Sequence, residues 1–173
     1  IHIVVSEKEG IGTRGKFYEE TGAIRDIFQN HILQILSLIA MDVPPLCPED
    51  KKECSSFIES MQQKKIEVIQ HLQLPDAQRV FLGQYHSYIQ DISLPFSHTE
   101  TLIRLPLYIS TKRWLGVPFW IITGKKLAKK ISYIEVVFHS TTPNENRLII
   151  EIQPEEKIDL VIQVKKPGMG LSS

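Results

Sequence analysis

The chain has 173 residues, 42% hydrophobic and 23% charged, the composition of an ordinary soluble domain that can bury roughly two-thirds of its surface without staples. Lys plus Arg and Asp plus Glu both number 20, so bulk charge offers nothing to nucleic acid or to an anionic membrane surface. No apolar run reaches membrane-spanning length and no signal peptide is visible.

Ile1–Val5 (IHIVV) reads as the middle of a strand, so the chain is expected to be a fragment of a longer protein. The charged, glycine-bearing stretch from Glu7 to Lys16 reads as a loop. It contains Gly10-Ile11-Gly12 without a full strand–GxGxxG–helix context, so no dinucleotide fingerprint is expected there. Glu7, just past the first strand, is well placed for a polar site residue, although a lone surface glutamate is the commoner case.

Glu19 to Asp42 predicts one long helix. Ile24, Ile27, Phe28, His31, Ile35 and Leu36 recur at the spacing of a buried helical stripe. Acidic Glu19 and Glu20 suit its start, Thr21 or Gly22 suits a cap, and Pro44-Pro45 stops it. His31 stands where a hydrophobe is expected. It reads either as a core histidine with one satisfied ring nitrogen or as a general base on a rigid element. Asp26 lies five residues earlier, about 140° around an α-helix, which excludes a simple one-face dyad with His31.

Pro44–Pro48 reads as a linker. Cys47 and Cys54, with no second pair, read as reduced thiols of a cytosolic protein. Asp50–Leu72 predicts an amphipathic helix buried through Ile58, Met61, Val68, Ile69 and Leu72. Strands are predicted at Arg79–Tyr85, Leu102–Ile109, Val117–Thr123, Ser132–His139, Arg147–Gln153 and Ile158–Val164, with Ser87–Glu100 polar and irregular. Pro106 implies an edge or a bulge. Alternation of Leu148, Ile150 and Ile152, then of Ile158, Leu160 and Ile162, across the short Pro154–Lys157 connection predicts a hairpin. Helices first and strands later argue α+β: a large, mostly antiparallel sheet with helices packed on one face. The lysine-rich run from Lys125 to Lys130 reads as a phosphate grip or as a solvated turn.

Several ordered motifs go further. IRDIFQNHILQILSLIAM (24–41) closely resembles the helix of glucose-6-phosphate dehydrogenases. EGIGTRGKFYEETG (9–22), VFLGQY (80–85), RWLGVPFWIITGKKL (113–127), NRLIIEIQPEE (146–156) and KKPGM (165–169) follow in that family's order and spacing. The resemblance covers nearly the whole chain and is thinnest at 45–73 and 86–103. It implies the carboxy-terminal substrate-binding and dimerisation domain, spanning 1–173, of a cytoplasmic enzyme that oxidises glucose 6-phosphate to 6-phosphogluconolactone with hydride transfer to NADP. It assigns His31 as the general base, and Glu7, Asp26, Lys125 and Lys130 as substrate-binding. It places the Rossmann domain, the NADP it binds, and an Asp-His-Tyr-x-x-x-Lys segment upstream of this chain. That segment supplies the carboxylate that orients the base. The fragment alone is then expected to be inactive. A second, structural NADP is not expected, because Ile131, Glu135, Glu151 and Asp159 occupy positions that would want cations or a tyrosine; only Gln153 suits it. The family pairs through this sheet, so a homodimer is expected, with no nucleic-acid or membrane partner. Two other readings stay open: an inactive scaffold of the same fold, and a basic-patch phosphate-binding protein.

Overall fold

The structure, a computed structural model, describes residues 1–44, 54–141 and 144–164. Strand β1 (His2–Ser6) leads through a loop and a 3-10 turn (Gly12–Arg14) into α1 (Gly15–Ala23). A π-helical segment (Ile24–Ile32) and α2 (Leu33–Ala40) continue from it. Then come α3 (Cys54–Gln70), β2 (Leu72–Gln73), β3 (Phe81–Gly83) and a short α4 (Tyr88–Ile92). The chain ends with β4 (Leu102–Ile109), β5 (Phe119–Gly124), β6 (Ile131–Val137), β7 (Arg147–Gln153) and β8 (Lys157–Val161).

The strands form one 8-stranded sheet in the order β2-β4-β5-β1-β6-β7-β8, with β3 also beside β4. Every pairing is antiparallel except β1 with β5. The α+β expectation is met. Ile103, Leu105, Leu107 and Ile109 alternate inward along β4. Ile3 lies between Ile121 and Ile134 in the register of β5, β1 and β6. Tyr18, Ala23, Ile32, Leu36 and Ala40 close the core from the helices, and each fully buried aliphatic side chain contributes about 1.5–3 kcal/mol. The Arg104 guanidinium sits 4.9 Å above the Trp120 ring on the opposite face.

Pro106 pairs with Trp120 of β5 on one side. On its other side it falls between β3, which reaches Arg104, and β2, which begins at Tyr108. Its missing N–H faces that gap, so the edge expected there is local. The β7–β8 hairpin has the predicted pairing, with Leu148 opposite Leu160 and Ile150 opposite Ile158.

Several expectations are corrected. The helix expected over 19–42 starts at Gly15 and is broken at Gly22, whose φ of 60° is not helical. Its central turn follows a π pattern, which moves the buried line to Asp26, Ile32, Leu36 and Ala40 and leaves His31 exposed. α3 buries Val68, whereas Ile58 and Ile69 are exposed. The supposedly irregular 87–100 stretch holds α4, because Tyr88 is fully buried against Tyr18 and Tyr85. The strand expected over 79–85 keeps only Phe81–Gly83. Gly10, Gly12 and Gly15 do complete a G-x-G-x-x-G spacing between a strand and a helix. The loop's polar groups are already engaged, however: the Ile11 N–H donates to Tyr85 Oη at 3.3 Å, and Glu9 O accepts from the Lys126 N–H at 3.1 Å. A Cβ on Gly10 would meet Lys126 Cε at 3.0 Å and Tyr85 Oη at 3.1 Å. Gly10 and Gly15 serve close packing, whereas Gly12 has open space around it and is set by its φ of 55°. Cys47, residues 50–53 of the second predicted helix, and the KKPGM motif lie outside the described residues.

Candidate functional site

The parallel pair organises the site. Ser6 stands opposite Gly124 where β1 and β5 end, so the next residues, Glu7 and Lys125, leave the sheet side by side. Because β1 lies between β5 and β6, the 125–130 connection must cross the end of β1. The Glu7 N–H donates to Gly124 O at 2.9 Å, and Leu127 N–H donates back to Glu7 O at 2.9 Å. This crossing puts Lys125 on one side of Glu7 and Lys130 on the other. The Lys125 ammonium is 2.6 Å from Glu7 Oε2, with only 6% of the lysine side chain exposed against 29% of the glutamate. Lys125 Nζ also lies 5.2 Å from the centre of the Tyr18 ring. Burial first, then the nearby charges of Asp26, Glu100 and Glu7, push the Tyr18 hydroxyl pKa far up, so it stays a neutral platform.

The helix supplies the other groups. The Leu33 N–H donates to Phe28 O, an i→i+5 bond. Within this segment Asp26 is turned into the protein and His31 out to solvent. Asp26 is 8% exposed. Its Oδ1 accepts from Arg14 Nη2 at 2.8 Å, while Oδ2 is buried with no hydrogen-bond partner. An orphaned carboxylate oxygen costs free energy unless a ligand donates to it.

His31, Glu7 and Lys130 line one cleft of about 380 Å³, together with Ser132 and Gln153. Lys125 and Asp26 do not line it. Lys125 stands behind Glu7, and Asp26 lies beside Arg14 and within electrostatic reach of Tyr18. His31 makes no hydrogen bond or ion pair among the described residues, so no carboxylate of these residues orients its ring. A larger cleft of about 600 Å³ is lined by Lys64, His71, Lys112 and Arg113; there Lys64 and Arg113 already pair with Glu67 and Asp42, and the His71 ring bonds Glu67 O. Arg14 and Tyr18 escaped the sequence reading. A lone arginine between glycines and a tyrosine on a helix carry no signal until the fold sets them beside Asp26 and Lys125.

The groups suit an anionic, hydroxyl-rich ligand: cations for the anion, carboxylates for hydroxyls, an accessible imidazole for a proton. The charges on β6–β8, where a second NADP is not expected, are paired with one another. Glu135 holds Arg147 at 3.3 Å, and Lys157 is shared between Glu151 at 3.2 Å and Asp159 at 3.5 Å. Gln153 lines the His31 cleft.

The family model described as "Glucose-6-phosphate dehydrogenase, C-terminal domain" matches residues 1–173. A glucose-6-phosphate 1-dehydrogenase of Mycolicibacterium smegmatis is 34% identical, over 98% of this chain and 37% of the relative. The cytoplasmic isoform of Solanum tuberosum is 35% identical, over 100% of this chain and 34% of the relative. Among solved structures, the Mycobacterium avium glucose-6-phosphate 1-dehydrogenase superposes with a TM-score of 0.84 at 30% identity, covering 96% of this chain and 38% of that one. A glucose-6-phosphate dehydrogenase in complex with its substrate glucose-6-phosphate gives a TM-score of 0.84 at 30% identity, covering 97% and 36%. The chain thus spans little more than a third of the length of the curated relatives it matches, and it belongs to the glucose-6-phosphate dehydrogenase family as a carboxy-terminal domain.

Proposed function

We propose that this chain is the substrate-binding and dimerisation domain of a longer enzyme that oxidises glucose 6-phosphate to 6-phosphogluconolactone. NADP, when bound, accepts the hydride, and no residue of this chain is assigned to holding it. His31 takes the proton of the anomeric hydroxyl as the hydride leaves the same carbon, so neither charge accumulates on the sugar. The observation that carries the reading is the cleft in which an exposed His31 faces Glu7 and Lys130, matched by a relative whose structure holds this substrate. Lys130 meets the anionic sugar in the cleft, and Lys125 serves substrate binding from behind, by orienting Glu7. The free oxygen of Asp26 accepts from a sugar hydroxyl, which relieves its unpaired burial. The ring of His31 takes its orienting carboxylate from the segment expected upstream.

A homodimer through the sheet is supported by exposed apolar side chains on and beside β8, with Ile158 70%, Leu160 59% and Ile162 58% exposed. A cytoplasmic location is supported by the plant relative's isoform, and no described helix is long and apolar enough to cross a membrane. The test is His31→Asn in the full-length enzyme. Loss of a general base costs typically 10²–10⁴-fold in kcat, while an exposed side chain without a partner costs little stability, within about 0.5 kcal/mol. Undiminished sugar-dependent NADP reduction by a folded His31→Asn enzyme refutes the assignment. It would leave the proton to another group; failure of the unmodified full-length enzyme to oxidise the sugar is the result that favours the inactive-scaffold reading.

A further inference from the structure

We propose that Glu100 is a positioning residue for this reaction: its backbone and side chain together cap the π-helical segment and set the phase at which Asp26 and His31 meet the substrate. The proposal rests on the dehydrogenase reading above. At Gly22 the backbone leaves the helix, with φ 60° and ψ −175°. The amides just after the break therefore need new acceptors. Glu100 supplies two: the Ala23 N–H donates to Glu100 O at 3.1 Å, and the Ile24 N–H donates to Glu100 Oε1 at 2.9 Å. Ile24 N–H is also shared with Thr21 O. A Cβ on Gly22 would lie 2.2 Å from Glu100 Oε1, so any larger residue there, already strained by the positive φ, would push the carboxylate off the Ile24 amide. An acceptor carboxylate at a helical N-terminus also complements the dipole there.

Asp26 is two residues beyond the capped amide of Ile24, and His31 follows one π turn later. The neighbours of Glu100 grip the rest of the site. The Thr101 N–H donates to Gly83 O at 2.8 Å, and Thr101 O accepts from the Lys125 N–H at 2.9 Å. Thr99 Oγ1 donates to Glu19 O at 3.0 Å. Thr101 is fully buried. A run of three residues thus ties the backbone of Lys125 to the helix that carries Asp26 and His31. Glu100 lines a different cleft from the one His31 lines, so it acts through the backbone and not by touching the sugar.

The experiment compares Glu100→Ala, Glu100→Gln and Glu100→Asp in the full-length enzyme with glucose 6-phosphate and its C1-deuterated form. In Glu100→Ala the base is displaced, and kcat falls by about tenfold to a hundredfold, as for an ångström-scale misplacement, with a smaller change in KM. The deuterium isotope effect on kcat rises, because the chemical step becomes more nearly rate-limiting. Glu100→Gln keeps an amide oxygen for the Ile24 N–H and restores most of kcat. Amide exchange at Ile24, whose acceptor is the Glu100 side chain, speeds up by about tenfold or more in Glu100→Ala and stays close to wild type in Glu100→Gln. If Glu100→Ala does not fold, Glu100→Asp, one methylene shorter, carries the same expectations in weaker form. A folded Ala or Asp variant with wild-type kcat, isotope effect and exchange overturns the proposal, and so does a Gln variant as impaired as Ala. Should the unmodified enzyme fail to oxidise the sugar, the dehydrogenase reading falls, while the exchange rates still decide whether Glu100 holds the segment.

Discussion

The pairing of Lys125 with Glu7 permits a quantitative test. At 2.6 Å the two charges attract by about 6 kcal/mol at an effective dielectric of about 20, an upper limit that the loss of hydration offsets. The two single changes are not equivalent. Lys125→Met leaves a carboxylate with 29% of its side chain in water, so solvent recovers much of the loss and the expected cost is about 1–2 kcal/mol. Glu7→Gln leaves an ammonium only 6% exposed over the Tyr18 ring. The ring returns about 1–2 kcal/mol of that loss, so the expected cost is about 2–4 kcal/mol. The double variant has no buried unpaired charge and should be better than the two costs summed by about 2 kcal/mol. The readout is native-state amide exchange at Glu7, Lys126 and Leu127, whose bonds to Gly124 O, Glu9 O and Glu7 O tie the crossing loop to the end of β1. Local exchange needs no assumption of two-state unfolding of a large enzyme. Strictly additive effects, or equal costs for the two single changes, refute the reasoning.

Alkali offers a second prediction. Burial, then a hydrogen bond to Asp91, pushes the Tyr85 hydroxyl up to about 12, and burial first of all raises Tyr88 and Tyr18 too. The ordinary value is about 10. Between the two, the folded state holds more protons than the unfolded one, so stability is complete below about pH 10 and is lost as pH rises toward 12. Tyrosinate absorbance should therefore accompany the loss of near-ultraviolet circular dichroism; ionisation of these tyrosines near pH 10 in a still-native protein contradicts it. For the sheet, sedimentation of the full-length enzyme should give a dimer, and a strict monomer refutes pairing through β7 and β8. Calorimetry should find a single NADP per subunit, and a second tight site contradicts the acid pairing of Arg147 and Lys157.

Legibility in the sequence followed the range of the interaction. Alternation along β7 and β8 and the polar residue just past β1 are local patterns, and the register of Leu148 with Leu160 and the place of Glu7 bear them out. The helix around His31 was legible as a helix but not as a π turn, since an i→i+5 segment uses the same residues as an α-helix. That one change of period exposes His31 and buries Asp26. The break at Gly22 depends on Glu100, 76 residues beyond the amide it caps, and no local pattern carries such a contact. The glycine spacing at 10, 12 and 15 shows the converse. The pattern is present in full, yet Tyr85 and Lys126, distant in sequence, pack against its first glycine.

The lone parallel pair explains why the site lies where it does. In an antiparallel sheet the loops at one edge belong to alternate strands, and a residue leaving one strand faces the start of its neighbour. β1 and β5 instead end together, so two outgoing loops emerge side by side, as at the carboxyl ends of parallel α/β sheets. The price is a connection that must straddle β1 to reach β6, and that constraint places Lys125 and Lys130 about a single glutamate. Lys125 and Asp26, nearly buried and one of them with an unpaired oxygen, are choices that stability alone disfavours. Apolar residues of like volume would pack there at lower cost. Their concentration at the one edge where two loops can converge on a helix is therefore an argument from energetics, independent of family membership, that this edge was shaped by a ligand.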